Sequence, residues 1–224
     1  MTFSCRSIAL RVTFEDPTKV RGALTKRPGE SSPIQVNPSW KLIYPLSEFY
    51  EQCGLPLPPV TRIEGGDMEE PYRSLLVHER DMTPTLEQAY QRNISLRALH
   101  STLRDEVLSR QVVLCPEGNE TPVLFGAIRI YLEHFPSEAR RLVLECRQPL
   151  GGILRAQAIE HDSRPESYFQ VAADATIKNA LGLTESGLLY GRRNVLRDGA
   201  RNTLAEVVEI LPPSNGIPSM ENHS

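Results

Sequence analysis

The sequence predicts an α+β domain: a single antiparallel β-sheet covered by helices. Three observations point there. Two-residue hydrophobic alternation recurs between residues 94 and 211. Two pairs of alternating stretches are joined by turn sequences, Pro116-Glu-Gly-Asn119 and Asp198-Gly199. Helical stretches fall between the hairpins, which favours an antiparallel sheet.

The elements are predicted in order. The 224 residues suit one domain with a core and some peripheral chain. Residues 1–38 are rich in Pro, Ser, Lys, Arg and Gly (Lys26-Arg-Pro-Gly-Glu-Ser-Ser-Pro33) and are expected to form a flexible arm, with a short strand at 8–14. The domain proper is assigned to residues 39–212, and 213–224 to a flexible tail. Ser47 is placed to cap a short helix that Gly54 stops. Residues 68–78 suit a second helix, and Thr83-Pro-Thr-Leu-Glu87 starts a third, with Pro84 in its first turn. Strands follow at 94–103, 107–115 and 123–132. Helices are expected at 137–146, 150–158 and 172–180, the last ended by Gly182. Residues 188–197 and 200–211 form the final hairpin.

Composition excludes several functions. With 40% hydrophobic and 24% charged residues and a net charge of −3, there is no basic excess to hold a phosphate backbone, so nucleic acid is not expected as a partner. Cys5, Cys53, Cys115 and Cys146 show no zinc-ligand or CxxC spacing and are expected to be free thiols. His78, His100, His134 and His161 fall in no HExxH pattern, and GxGxxG, Walker A and GxSxG motifs are lacking, so neither metal nor cofactor is expected. No segment reaches the roughly 18 apolar residues of a membrane span, and residues 1–14 do not resemble a secretory leader. A cytoplasmic protein is expected, with its oligomeric state left open.

Strand alternation singles out charged residues on apolar faces. Arg110 shares a face with Leu108, Val112 and Leu114. A guanidinium on the core side needs a partner, either an internal acid or a ligand. In the last strand Glu206 shares a face with Leu204, Val208 and Ile210, and Glu209 lies opposite beside Val207 and Leu211. Periodicity alone does not choose between the two acids. A two-residue turn at Asp198-Gly199 would set Glu206 against Gly191 and diagonal to Arg193.

Asp81-Met-Thr-Pro-Thr-Leu-Glu87, Leu108-Ser-Arg-Gln-Val-Val-Leu-Cys115, Pro149-Leu-Gly-Gly-Ile-Leu154, and Gly191-Arg-Arg followed by Leu204-Ala-Glu206 resemble, in order and spacing, the motifs of chorismate pyruvate-lyases (4-hydroxybenzoate synthases). The resemblance covers roughly residues 72–212. It implies a single-domain antiparallel sheet with helices on one side and a buried ligand pocket beneath helical flaps, and a cofactor-free lyase. Such an enzyme converts chorismate to 4-hydroxybenzoate and pyruvate, a step of ubiquinone or aromatic secondary-metabolite biosynthesis. It assigns carboxylate binding to Arg110, the general acid to Glu206 over Glu209, and backbone ligand contacts to Met82 and Leu150. Gly151 offers a backbone N–H at a helix start, and Arg193 is a supporting cation by hairpin geometry. The family's usual Ser or Thr before Met-Thr is Asp81 here, and Ala205 stands where Thr is common. Residues 180–193 also resemble the effector-binding domains of certain bacterial repressors, which implies a non-catalytic sensor of aromatic acids as the alternative. A relative acting on another dienyl or aromatic acid is a further one.

Overall fold

In a computed structural model the described residues are 39–218. The expected arm, including a strand at 8–14, lies outside them. The chain runs through α1 (Ser39–Leu42), α2 (Leu46–Gln52), β1 (Val60–Ile63), α3 (Tyr72–Leu76), α4 (Met82–Tyr90), β2 (Ile94–Arg104), β3 (Val107–Pro116) and β4 (Leu124–Tyr131). It continues through α5 (Ser137–Glu145), α6 (Leu150–Ala156), β5 (His161–Ala172), α7 (Ala175–Leu181), β6 (Leu188–Asp198) and β7 (Thr203–Ile210). All seven strands form one antiparallel sheet in the order β1-β5-β6-β7-β4-β3-β2. The α+β class read from the sequence is therefore what the chain builds.

Two strands escaped the sequence. β1 is short, with Val60 and Ile63 only partly buried and Thr61 and Arg62 exposed, so it shows no alternation. β5 buries Ser163, Ser167, Phe169 and Val171 and contains Pro165 at a register shift, so polar residues and a proline conceal its alternation. Helix ends also differ. Residues 68–70 are not helical, Ser47 lies inside α2 rather than capping it, and α7 starts at Ala175, where Asp174 caps it by accepting from the Ile177 N–H at 2.9 Å. The tail boundary at 212 falls too early. Tyr72 donates to the Pro212 carbonyl, Tyr90 to that of Gly216, and Ile217 is buried against α3 and α4.

Helices cover both faces of the sheet, not one. On the first face α2 and α7 pack Phe49, Tyr50 and Ile177 against Val113, Phe125, Phe169 and Val208. On the second, α5 and α6 cover Ile128, Ile130 and Leu196, and α3 and α4 cover Leu114 and Leu124. The central strands β3, β4, β6 and β7 have residues buried by both layers and read as apolar on both sides, whereas the edge strands β1 and β2 stay largely exposed.

The β6–β7 hairpin has a longer turn than Asp198-Gly199 suggests. Gly199–Arg201 form a three-residue loop with Arg201 left-handed (φ 71°), and the Asp198 side chain binds the N–H of Asn202 at 2.8 Å. Together with a bulge at Leu196/Arg197, this pairs Gly191 with Ile210 and Glu206 with Val195. At Gly191 a β-carbon would meet the buried Phe169 ring at 2.5 Å and the Glu209 carbonyl at 2.7 Å. Gly191→Ala is expected to destabilise the fold by about 2–3 kcal/mol through overpacking; an unchanged urea midpoint would show that the ring and strand can yield.

Candidate acid-binding pocket

Lateral pairing decides which charged residues meet. On the second face one row runs from Arg110 through Ile128 and Val207 to Asn194. Side chains in such a row point the same way. Odd positions of β7 therefore share the face of Arg110, and even positions lie behind the sheet. Glu209 lines a cavity with Arg110, and Glu206 does not.

The cavity lies between the sheet and the starts of α4 and α6. Leu96, Val112, Leu114, Ile128 and Leu196 form its apolar wall, and Met82, Thr83, Leu150 and Gly151 its helical cover. Its space is about 70 Å³, several times the roughly 10–15 Å³ one water needs, which suits a compact ligand. Gly151 allows α6 to approach α4: a β-carbon there would sit 3.3 Å from that of Asp81.

Arg110 is 1% exposed, and its Nε and Nη1 find no hydrogen-bond partner in the protein. Burial lowers its pKa, and only the Cys146 thiol works the other way. The predicted carboxylate-binding residue thus stands in the cavity as an unsatisfied buried donor. Met82, Leu150 and Gly151 are brought to the same cavity.

Arg193 and Glu206 are a correction. Glu206 accepts from the Tyr131 hydroxyl at 2.6 Å and from Arg193 Nη2 at 2.9 Å. Arg193 also pairs with Glu166 and stacks over Tyr44, and Arg129 binds the Tyr44 hydroxyl and Glu48. These groups tie α2 to the back of the sheet. Burial, and next the bond to Glu206, raise the Tyr131 pKa. The diagonal contact of Arg193 with Glu206 is as expected, but it lies on the wrong face for the cavity.

Arg192, not singled out in the sequence, is a second buried cation, bound to the Glu209 that lines the pocket. It is 0% exposed and donates through Nε to Glu209 at 2.5 Å. Its Nη1 donates to the carbonyls of Leu76 and His78, and Nη2 to that of Arg80. One guanidinium thus holds both the pocket acid and the segment leading into α4. His78 Nδ1 faces Arg192 and the Arg80 N–H, while Nε2 donates to the Leu75 carbonyl. Burial, aided by the Arg192 charge, depresses the His78 pKa to about 4, which keeps that ring neutral at neutral pH. The signal available in the sequence was Gly191-Arg-Arg: two adjacent strand residues must face opposite ways, so one of the two arginines had to enter the second face.

Among the described residues no three His, Cys, Asp or Glu side chains are grouped to hold a metal ion, Cys53, Cys115 and Cys146 are free thiols, and no helix is long and apolar enough to cross a membrane.

No protein-family model matches the chain, and no curated protein matches it. Its structural neighbours include regulators. The effector domain of PhnF from Mycobacterium smegmatis aligns over 60% of this chain and 89% of its own, at 14% identity and a TM-score of 0.45. PhnF from the same organism aligns over 62% and 66%, at 13% identity and a TM-score of 0.45. A GntR-family transcriptional regulator from Bacillus cereus aligns over 54% and 92%, at 12% identity and a TM-score of 0.39. Likenesses of this size say nothing about ligand or activity.

Proposed function

We propose that this domain binds a small, ring-bearing carboxylic acid, with the carboxylate on Arg110. The observation that supports this most directly is a guanidinium buried in an apolar cavity with two nitrogens unpartnered. An isolated buried cation is costly. A planar carboxylate matches the fork of N–H donors and removes that cost. The walls accept an apolar ring, and Glu209 offers an acceptor oxygen to a hydroxyl at its far end. Arg110 and Glu209 lie two strands and two residues apart, about 12 Å between α-carbons from standard sheet spacings. Inward-reaching side chains shorten that span to the length of a hydroxylated aromatic acid.

A second reading is catalytic: cleavage of chorismate to 4-hydroxybenzoate and pyruvate. It is favoured by the placement of Arg110 and a carboxyl in one covered cavity, but the acid then is Glu209 rather than Glu206. Glu209 is engaged by Arg192, an arrangement that suits accepting a hydrogen bond better than donating a proton, and binding is therefore the leading reading.

Calorimetry with 4-hydroxybenzoate, beside a coupled assay for pyruvate released from chorismate, separates the two. Saturable binding of one ligand per chain without pyruvate is expected. Stoichiometric pyruvate, lost in Glu209→Gln, would make the protein a lyase. Absence of binding to 4-hydroxybenzoate, chorismate and simple benzoates would overturn both.

A further inference from the structure

His161, the first residue of β5, is half-buried beside Asp81, which lines the cavity, and both of its ring nitrogens face acceptors. Nε2 lies 3.1 and 3.0 Å from the two carboxylate oxygens of Asp81, and Nδ1 lies 2.9 Å from the Ile159 carbonyl. A neutral imidazole carries one N–H and one lone pair, so it satisfies only one of these partners; the imidazolium satisfies both. The remaining charges around the ring reinforce this. Asp162 adjoins it and Asp198 stands opposite on β6, while Arg155 of α6 is engaged by Glu87 and Arg197 of β6 by Glu166.

The partners sit at the two covering helices. Asp81 precedes α4 and makes no capping bond to it; its side chain is given to His161 instead. Ile159 closes the end of α6, with its N–H bonded to the Leu154 carbonyl. Met82 and Thr83 on one helix, and Leu150 and Gly151 on the other, cover the cavity. Among the described residues the one ion pair between α4 and α6, Arg155 with Glu87, is exposed on the Arg155 side and long at 3.3 Å.

We propose that protonated His161 is a bolt across the pocket cover: it clamps the start of α4 to the end of α6, and loss of its proton lets the two helices part and the ligand exchange. The bolt rests on the reading of the cavity as a ligand site. Its direction with pH follows from the partners. The hydrogen bond to Asp81, ahead of the opposing effect of burial, raises the His161 pKa. A histidine whose folded pKa lies above its unfolded one contributes stability at low pH and loses it as pH rises through the folded value. The cover is therefore tight in mildly acidic solution and loosens as pH rises through the raised folded value.

Hydrogen exchange of the full, ligand-free chain tests the bolt independently of any ligand. Protection factors in residues 82–90 and 150–156, referred to those of β4 and β7, are expected to fall between pH 6 and pH 9. The fall is about tenfold for each unit by which folding raises the His161 pKa. His161→Gln and Asp81→Asn are expected to show low protection at both values. A pH-independent ratio in the wild-type chain, or an undiminished pH effect in His161→Gln, would overturn the proposal. Release of 4-hydroxybenzoate followed by stopped flow is expected to accelerate over the same pH range. Failure of that ligand to bind at all would count against the pocket assignment while the exchange result still decides the bolt.

Discussion

Arg110→Met is expected to abolish acid binding and, at the same time, to raise the stability of the fold. Both effects come from one fact: the guanidinium is removed from water with two nitrogens unpaired. Two charge-assisted hydrogen bonds to a carboxylate contribute about 1.5–3 kcal/mol each, so affinity is expected to fall by at least about 100-fold. Methionine has a similar reach and no desolvation penalty, and exchanging a poorly compensated buried charge for it is expected to stabilise by about 1–3 kcal/mol. Calorimetry and urea unfolding on the same variant measure both. A destabilised Met variant would show that Arg110 has internal compensation. Glu206→Gln is the control, because its side chain lies behind the sheet; binding is expected to stay within about twofold of the wild-type value.

The opposite response is expected of the neighbouring arginine. Arg192→Ala removes the partner of Glu209, itself 7% exposed, and the donors to the carbonyls of Leu76, His78 and Arg80. Breaking a buried ion pair from one side costs about 3–5 kcal/mol, because the remaining charge stays buried and unpaired. A loss of that size is a large share of the stability of a single domain. Arg192→Lys is not expected to rescue it, since an ammonium does not span one carboxylate and three carbonyls. Adding Glu209→Gln to Arg192→Ala is expected to recover part of the loss by removing the stranded charge, while the carbonyls remain without donors. Additive losses in that double variant would refute a coupling between the two side chains. Arg110 and Arg192 line up on one face of one sheet, yet one keeps two nitrogens unpaired in the cavity and the other is consumed by the fold.

The sequence by itself determined the antiparallel sheet, most of its strands and the helices between them, because alternation and turn residues are local properties. It also determined that Arg110 faces a core, since that needs only the period of a single strand. The choice between Glu206 and Glu209 is not local. Each is apolar-flanked on its own strand, and only the register carried from β3 through β4 to β7 assigns the odd positions to Arg110. The resemblance to chorismate pyruvate-lyases favoured Glu206, which lies behind the sheet from the cavity, because it rested on order along the chain and carried no information about the face. A two-residue turn was likewise inferred where Asp198 closes a three-residue one, yet the resulting offset of four residues is even, so Arg193 still met Glu206. The roles of Arg192, Asp81 and His161 were decided by tertiary structure alone. Their partners are 17, 80 and up to 116 residues away, and no periodicity in a chain reports which distant side chains share a buried hydrogen bond.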